Sequence, residues 1–371
     1  MQNRRGLEQK IKNLGGLVMR KLARLKVFAL ILVFAFMLTS AVGCGSDSAK
    51  TSADGEKGYK WRLAQSKASQ HPVSQGCNKF AEIVKEKSDG KIIIDVFNDA
   101  VLGSDRECIE GAQNGTLEFA SSSTPNMSSF TNLFVAWDLP YIFENKDEVY
   151  TALDGEPGQL VAQEMEKAGF KVIFYPDYGF RQVVNNEKEV KVPSDLKGLK
   201  IRTTNSPVEI ADYNNFGANP TPIAWSEVYT ALQQGTVQGE GNSYSLLWDT
   251  KHQEVLKHAT EVNYNYSADC VVMNKELYDS LSPEDQNLLM EAGKEALEWQ
   301  RNRANEREAE AKQQFIDYGI KIYEPTSAEY SEWKNSVKPV WDEFVVKGKA
   351  DPEYVDLILK TLGKTKEDIF K

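Results

Sequence analysis

Pro220-Thr221-Pro222-Ile223-Ala224-Trp225-Ser226-Glu227-Val228-Tyr229-Thr230-Ala231-Leu232-Gln233-Gln234-Gly235, followed closely by Gln238-Gly239-Glu240-Gly241-Asn242, organises the chain. The two prolines predict a rigid loop that holds the Trp225 ring. Ser226 is the expected cap of a short helix anchored by Val228 and Leu232 at i, i+4 spacing, and Gly235 suits its end. Upstream, Asp195-Leu196-Lys197-Gly198-Leu199-Lys200-Ile201-Arg202 predicts a turn leading into a short strand, and Tyr178-Gly179-Phe180-Arg181 closes an apolar run. Two arginines, an indole and a carboxamide thus fall at the ends of short elements, where ligand groups are commonly held. Arginine suits a carboxylate because its planar fork makes two parallel charge-assisted hydrogen bonds.

Composition is that of a globular chain of 371 residues, 41% hydrophobic and 26% charged, which argues against disorder and allows two domains. Residues 1–43 carry eight basic residues and one acid; the remainder holds 36 basic and 53 acidic residues, a net charge of about −17. So acidic a body should avoid nucleic acid and anionic membranes, and an anionic ligand would need local arginines to overcome its field.

Residues 27–42 form an uncharged apolar run preceded by Arg20, Lys21, Arg24 and Lys26 and ending at Gly43-Cys44. This predicts a secretory signal over residues 1–43, slightly short for a spanning helix. A Cys directly after small residues resembles a bacterial lipoprotein signal, which implies lipidation of Cys44 and a lipid anchor in the membrane. Residues 1–18 are long for an n-region, so Met19 is an alternative start. Residues 45–58 are small and polar and read as a flexible tether. Cys77, Cys108 and Cys270 show no CxxC spacing and read as buried thiols, with no metal site expected.

Further along, residues 59–65, 92–96, 117–120 and 171–175 read as strands, and 77–87 as a helix. The β-α-β opening argues for a largely parallel sheet. Ser104 and Glu107 form a capping box ahead of a second helix. Ser282-Pro283-Glu284-Asp285 starts a helix that meets no proline before Pro325 and stops at Gly319: 36 residues, about 54 Å. No HExxH, GxSxG, P-loop or GxGxxG motif occurs, and there are only three histidines, so an enzyme is not expected and no cofactor is implied.

DLKGLKIR and PTPIAWSEVYTALQQG together resemble the signature region of the solute-binding subunits of TRAP (tripartite ATP-independent periplasmic) transporters, the C4-dicarboxylate-binding-protein family. The resemblance covers roughly residues 60–345 and extends to Gly103-Ser104-Asp105-Arg106-Glu107 and to Trp137-Asp138-Leu139-Pro140-Tyr141-Ile142-Phe143. It implies an α/β, two-lobe periplasmic-binding-protein-like fold with a ligand cleft between the lobes and a long helix bracing both. The first lobe would comprise residues 59–178 plus 268–307, the second 179–267 plus 308–371. It implies a monomer that captures a small organic acid, a C4-dicarboxylate or a sugar acid, and delivers it to the integral membrane subunits of a TRAP permease. By this resemblance Arg202 is the carboxylate anchor, Arg181 a second arginine, Asn242 the pocket asparagine and Trp225 the aromatic wall. Gln65, His71, Asp105 and Ser123 would line the first-lobe side. The family pattern after the helix is close to V-D-G-Q-E-N-P, whereas here it reads Val237-Gln238-Gly239-Glu240-Gly241-Asn242-Ser243. Glu240 therefore adds a hydroxyl acceptor and shifts the expected ligand toward a hydroxylated acid. The alternative is a surface lipoprotein with an enzymatic or adhesive role.

Overall fold

The computed structural model describes residues 58–370; the signal segment, Cys44 and residues 44–57 of the tether lie outside the described residues. Ten strands form one sheet: β1 (Tyr59–Gln65), β2 (Ile92–Phe97), β3 (Phe119–Ser123), β4 (Phe170–Phe174), β5 (Asp177–Asn185), β6 (Lys200–Thr203), β7 (Asn219–Pro222), β8 (Gly239–Asn242), β9 (His258–Asn274) and β10 (Lys321–Tyr323). The order along the main path is β2-β1-β3-β9-β5-β8-β6-β7. The β-α-β opening pairs β1 parallel to both β2 and β3, as the pattern predicts. The sheet as a whole is mixed, which corrects the largely parallel expectation. The cause is topological: β5 and β9 carry the chain from one lobe to the other and back. They run antiparallel to each other, and β9 is also antiparallel to β3 and β4.

Six helices matter for the site: α1 (Pro72–Lys87), α2 (Asp105–Gln113), α3 (Pro207–Asn215), α4 (Trp225–Gln233), α5 (Tyr244–Asp249) and α6 (Pro283–Tyr318). α6 has the 36 residues read from sequence, begins with Asp285 N–H donating to Ser282 Oγ, and ends at Gly319 with φ 99°. It braces both lobes. Gln300 is buried; its Nε2 donates to Asp177 O and its Oε1 accepts from Asp177 N, fixing the start of β5. Further along, Arg307 donates to Asp249 on α5.

Smaller differences have local causes. Pro220 and Pro222 lie on the edge strand β7, whose outer side needs no donors, rather than in a loop. The residue before α4 is Ala224 and makes no side-chain cap, so Ser226 falls inside the helix. β3 runs on to Ser123, three residues beyond the end expected at residue 120. The tail does not sit wholly with residues 179–267: Tyr354 accepts from Trp137 Nε1 at 2.8 Å and donates to Pro157 O at 2.9 Å. Cys77, Cys108 and Cys270 are buried free thiols, and burial pushes that of Cys77 up to about 12.

Candidate functional site

A small cavity opens where the carboxyl ends of β1, β3 and β6 meet β5 and the first turn of α4. Five residues singled out from sequence line it: Asp105, Ser123, Arg181, Arg202 and Trp225. The sequence reading missed Ser66, Lys67, Asn126, Tyr178 and Thr204, which also line it. Tyr178 stood in the quoted YGFR motif; Lys67 follows a strand end, a position that alone could have flagged it.

The two arginines differ in how much of their fork the protein uses. Arg181 donates from Nε to Ser267 Oγ at 2.9 Å and from Nη1 to Gly241 O at 2.8 Å, and Nη1 lies 3.5 Å from Glu209 Oε1. Burial would ease its proton off, but Glu209 and neighbouring oxygens hold it more firmly than usual. Arg202 donates only from Nε, to Ile223 O at 3.0 Å; among the described residues neither of its Nη atoms finds an acceptor. It is buried, and its Cζ lies 5.5 Å from the Trp225 ring centroid. A buried guanidinium with both terminal nitrogens unengaged at a cavity wall suits a planar anion.

Trp225 also packs on His252, stacked at 4.9 Å between centroids and 22° between planes. His252 Nδ1 donates to Glu240 Oε1 at 2.5 Å, Glu240 Oε2 accepts from Asn242 Nδ2 at 3.0 Å, and Asn242 Oδ1 accepts from Tyr178 OH at 2.8 Å. Burial would raise the Glu240 carboxyl, but His252, Arg202 and Asn242 hold it below the ordinary value. Arg202 and Glu240 are register partners on the parallel pair β6–β8, and the Arg202 charge is one of those that hold the Glu240 carboxyl low.

Four expected lining residues therefore stand one layer behind the wall. Glu240 is fully buried and committed to His252 and Asn242, which corrects its expected role as a hydroxyl acceptor. Asn242 orients Tyr178. Gln65 Oε1 accepts from the Lys67 backbone N–H at 2.9 Å and so fixes the next turn. His71 is the N-cap of α1, its Nδ1 accepting from Val73 N–H; burial, with the charges of Lys67 and Arg307, lowers its pKa to about 3.

The first-lobe wall holds opposite charges side by side. Lys67 Nζ lies 2.7 Å from Asp269 Oδ2 and 3.8 Å from Asp105 Oδ1. Asp105 Oδ1 also accepts from Ser66 Oγ at 2.9 Å and Ser122 Oγ at 2.7 Å. Burial would weaken the Lys67 proton, but the two carboxylates hold it more tightly than in water. Among the described residues no group of side chains suited to a metal ion occurs.

A family profile described as bacterial extracellular solute-binding protein, family 7, matches residues 63–347. The chain belongs to that family, the solute-binding subunits of TRAP transporters. A family 7 relative, the 2,3-diketo-L-gulonate-binding periplasmic protein YiaO of Escherichia coli, is 36% identical over 249 residues, 67% of this chain and 74% of the relative. Among solved structures, a TRAP periplasmic solute-binding protein of Sulfitobacter with bound β-D-galacturonate superposes with a TM-score of 0.76. It is 32% identical, and the match covers 80% of this chain and 98% of that one. Another, from Sulfurospirillum deleyianum with bound succinate, gives a TM-score of 0.77 at 29% identity, over 82% and 99% of the two chains. The two-lobe fold is thus that of family 7, whose members serve transport rather than catalysis.

Proposed function

We propose that this chain captures a small organic acid in the cleft and hands it to the integral membrane subunits of a TRAP permease. Arg202 is the carboxylate anchor. The observation that carries this is its guanidinium: buried at the cavity wall, fixed through Nε, and with both Nη groups unengaged among the described residues. Arg181 adds a second cation, already largely used to tie β5 to β8 and β9, and Trp225 supplies an apolar face. The related proteins that bind a diketogulonate, a galacturonate and a succinate support a carboxylate-bearing ligand. Binding across the two lobes favours the closed arrangement, because contacts from both lobes form only there.

Exported as a monomer and held by a lipid on Cys44, the domain would work at the outer face of the cytoplasmic membrane, tethered by residues 45–58. Incorporation of labelled fatty acid into the wild type, lost in Cys44→Ser, tests the anchor. A thermal-shift panel of C4-dicarboxylates, monocarboxylates, uronates and neutral sugars tests the ligand. Ligand at about 100-fold its Kd adds about 2.7 kcal/mol, a rise of roughly 5–10 °C. A response confined to acids supports the arginine anchor; a response only to neutral sugars would overturn it.

A further inference from the structure

The cavity is not uniformly cationic, and its first-lobe wall has a chemistry of its own. Lys67 is 3% exposed, and its ammonium makes one close contact, with Asp269. At least two of its three N–H groups have no acceptor among the described residues. Asp269 is itself fixed, its Oδ1 accepting from Ser121 Oγ at 2.6 Å. Beside the ammonium, Asp105 spends Oδ1 on Ser66 and Ser122, while Oδ2 accepts nothing among the described residues. A buried donor with hydrogens to spare and an acceptor the protein leaves unused thus share one wall, with Lys67 Nζ 3.8 Å from Asp105 Oδ1.

Such a pair matches a hydroxyl, which accepts from the ammonium and donates to the carboxylate at once. It does not match a second carboxylate. Lys67 is outnumbered by Asp105 and Asp269, so this wall carries a net negative charge when both are ionised. A ligand carboxylate placed there would accept from Lys67 but face Asp105 in a site largely closed to water, where like charges repel strongly. The surrounding Ser66, Ser123 and Asn126 are neutral hydroxyl and amide groups, also suited to hydroxyl partners.

We propose that Lys67 and Asp105 are specificity-determining residues that read a ligand hydroxyl and turn away a second carboxylate. The inference presupposes the arginine-anchored site above. The ligand then has one carboxylate, on Arg202, and at least one hydroxyl at the first-lobe wall. This moves the hydroxyl-accepting role from Glu240, which is committed elsewhere, to Asp105.

The test is calorimetric titration of the full exported chain with D-galacturonate, D-gluconate and succinate. The wild type is expected to bind one of the two hydroxylated acids at least tenfold more tightly than succinate. Asp105→Asn removes the repelling charge and should narrow that preference by tenfold or more, mainly by improving succinate. Lys67→Met should weaken the hydroxylated acids by tenfold or more. Circular dichroism and melting curves check that the variants are folded, and a wild type without the preference overturns the inference even where a variant is not. Succinate binding as tightly as the better-bound hydroxylated acid, or Asp105→Asn weakening all three equally, overturns the inference while leaving the arginine anchor intact. Binding of all three acids that survives unchanged in Arg202→Lys sinks the anchor instead.

Discussion

The side-chain amide of Gln70 donates to the backbone carbonyl of Asp249 across 2.6 Å, joining the loop before α1 to the end of α5. The same Asp249 receives Arg307 from α6 through its carboxylate. The contact links segments 179 residues apart and lies between elements of the two lobes. Gln70→Ala should leave the association rate of the cognate acid unchanged and raise its dissociation rate. The loss of one neutral hydrogen bond, about 0.5–1.5 kcal/mol, corresponds to a factor of roughly 2–10. Stopped-flow tryptophan fluorescence checks it; an unaltered dissociation rate would show that the contact does not hold the lobes.

Arg202→Lys keeps the positive charge but loses the planar fork. Affinity for the cognate acid should fall by about 1.5–3 kcal/mol, the order of a charge-assisted hydrogen bond. Titration calorimetry measures this, and an unchanged Kd removes Arg202 as anchor.

Glu240→Gln leaves His252 without its carboxylate and Arg202 without its register-partner charge. Removing the charged partner of a buried hydrogen bond typically costs about 1.5–3 kcal/mol. Urea unfolding should show a loss of that order. The double variant Glu240→Gln, His252→Gln should lose less than the two single losses added, because both report the same pair.

Gly241→Ala meets a wall. A β-carbon there would lie 2.1 Å from Tyr264 Oη and 2.5 Å from Tyr213 Oη. The strand must shift, moving the carbonyl that holds Arg181. Overpacking of this kind typically costs about 1–3 kcal/mol, read by chemical denaturation, and ligand affinity should fall with it.

His71 gives the fold an acid sensitivity with a definite sign. Its folded pKa is lowered from 6.5 to about 3, so the unfolded chain takes up a proton below pH 6.5 that the folded chain refuses. The associated stability is complete above pH 6.5 and is lost as pH falls toward 3. His71→Asn keeps a good N-cap and lacks the titration. At pH 5 the wild type should have lost about 2 kcal/mol relative to that variant, compared with pH 7.5. Parallel denaturation curves of equal spacing at both values would contradict this.

Local rules written in the chain are met where a few residues decide the outcome. Ser104 with Glu107, and Ser282 with Pro283, start their helices as expected, and Gly319 ends the long one. Val228 and Leu232 are buried on one face of α4, as their spacing requires. Arg202 and Trp225 meet at the cavity because short elements deliver both to the same end of the sheet. What could not be read is partnership at long range. Glu240 looked like a free acceptor because His252, 12 residues on, gives no sign in sequence of folding back under Trp225. Lys67 resembles any lysine after a strand; only the fold brings Asp269, 202 residues further on, beside it. Antiparallel pairing of β9 likewise depends on where a 17-residue strand is laid, which its own residues do not state.

One further consequence belongs to α6. Its buried face includes Gln300, Ala304, Arg307, Ala311 and Phe315, spaced by four, three, four and four residues. Gln300 grips β5, Arg307 grips Asp249, and Lys312 reaches Glu261 on β9. Each residue turns a helix by about 100°. Inserting or deleting one residue anywhere between Gln300 and Lys312 would swing the grips beyond it to the wrong side. The helix therefore acts as a phase-locked ruler: the chain tolerates changes of length in its loops, while the count of residues along this rod is fixed by what it must hold at both ends.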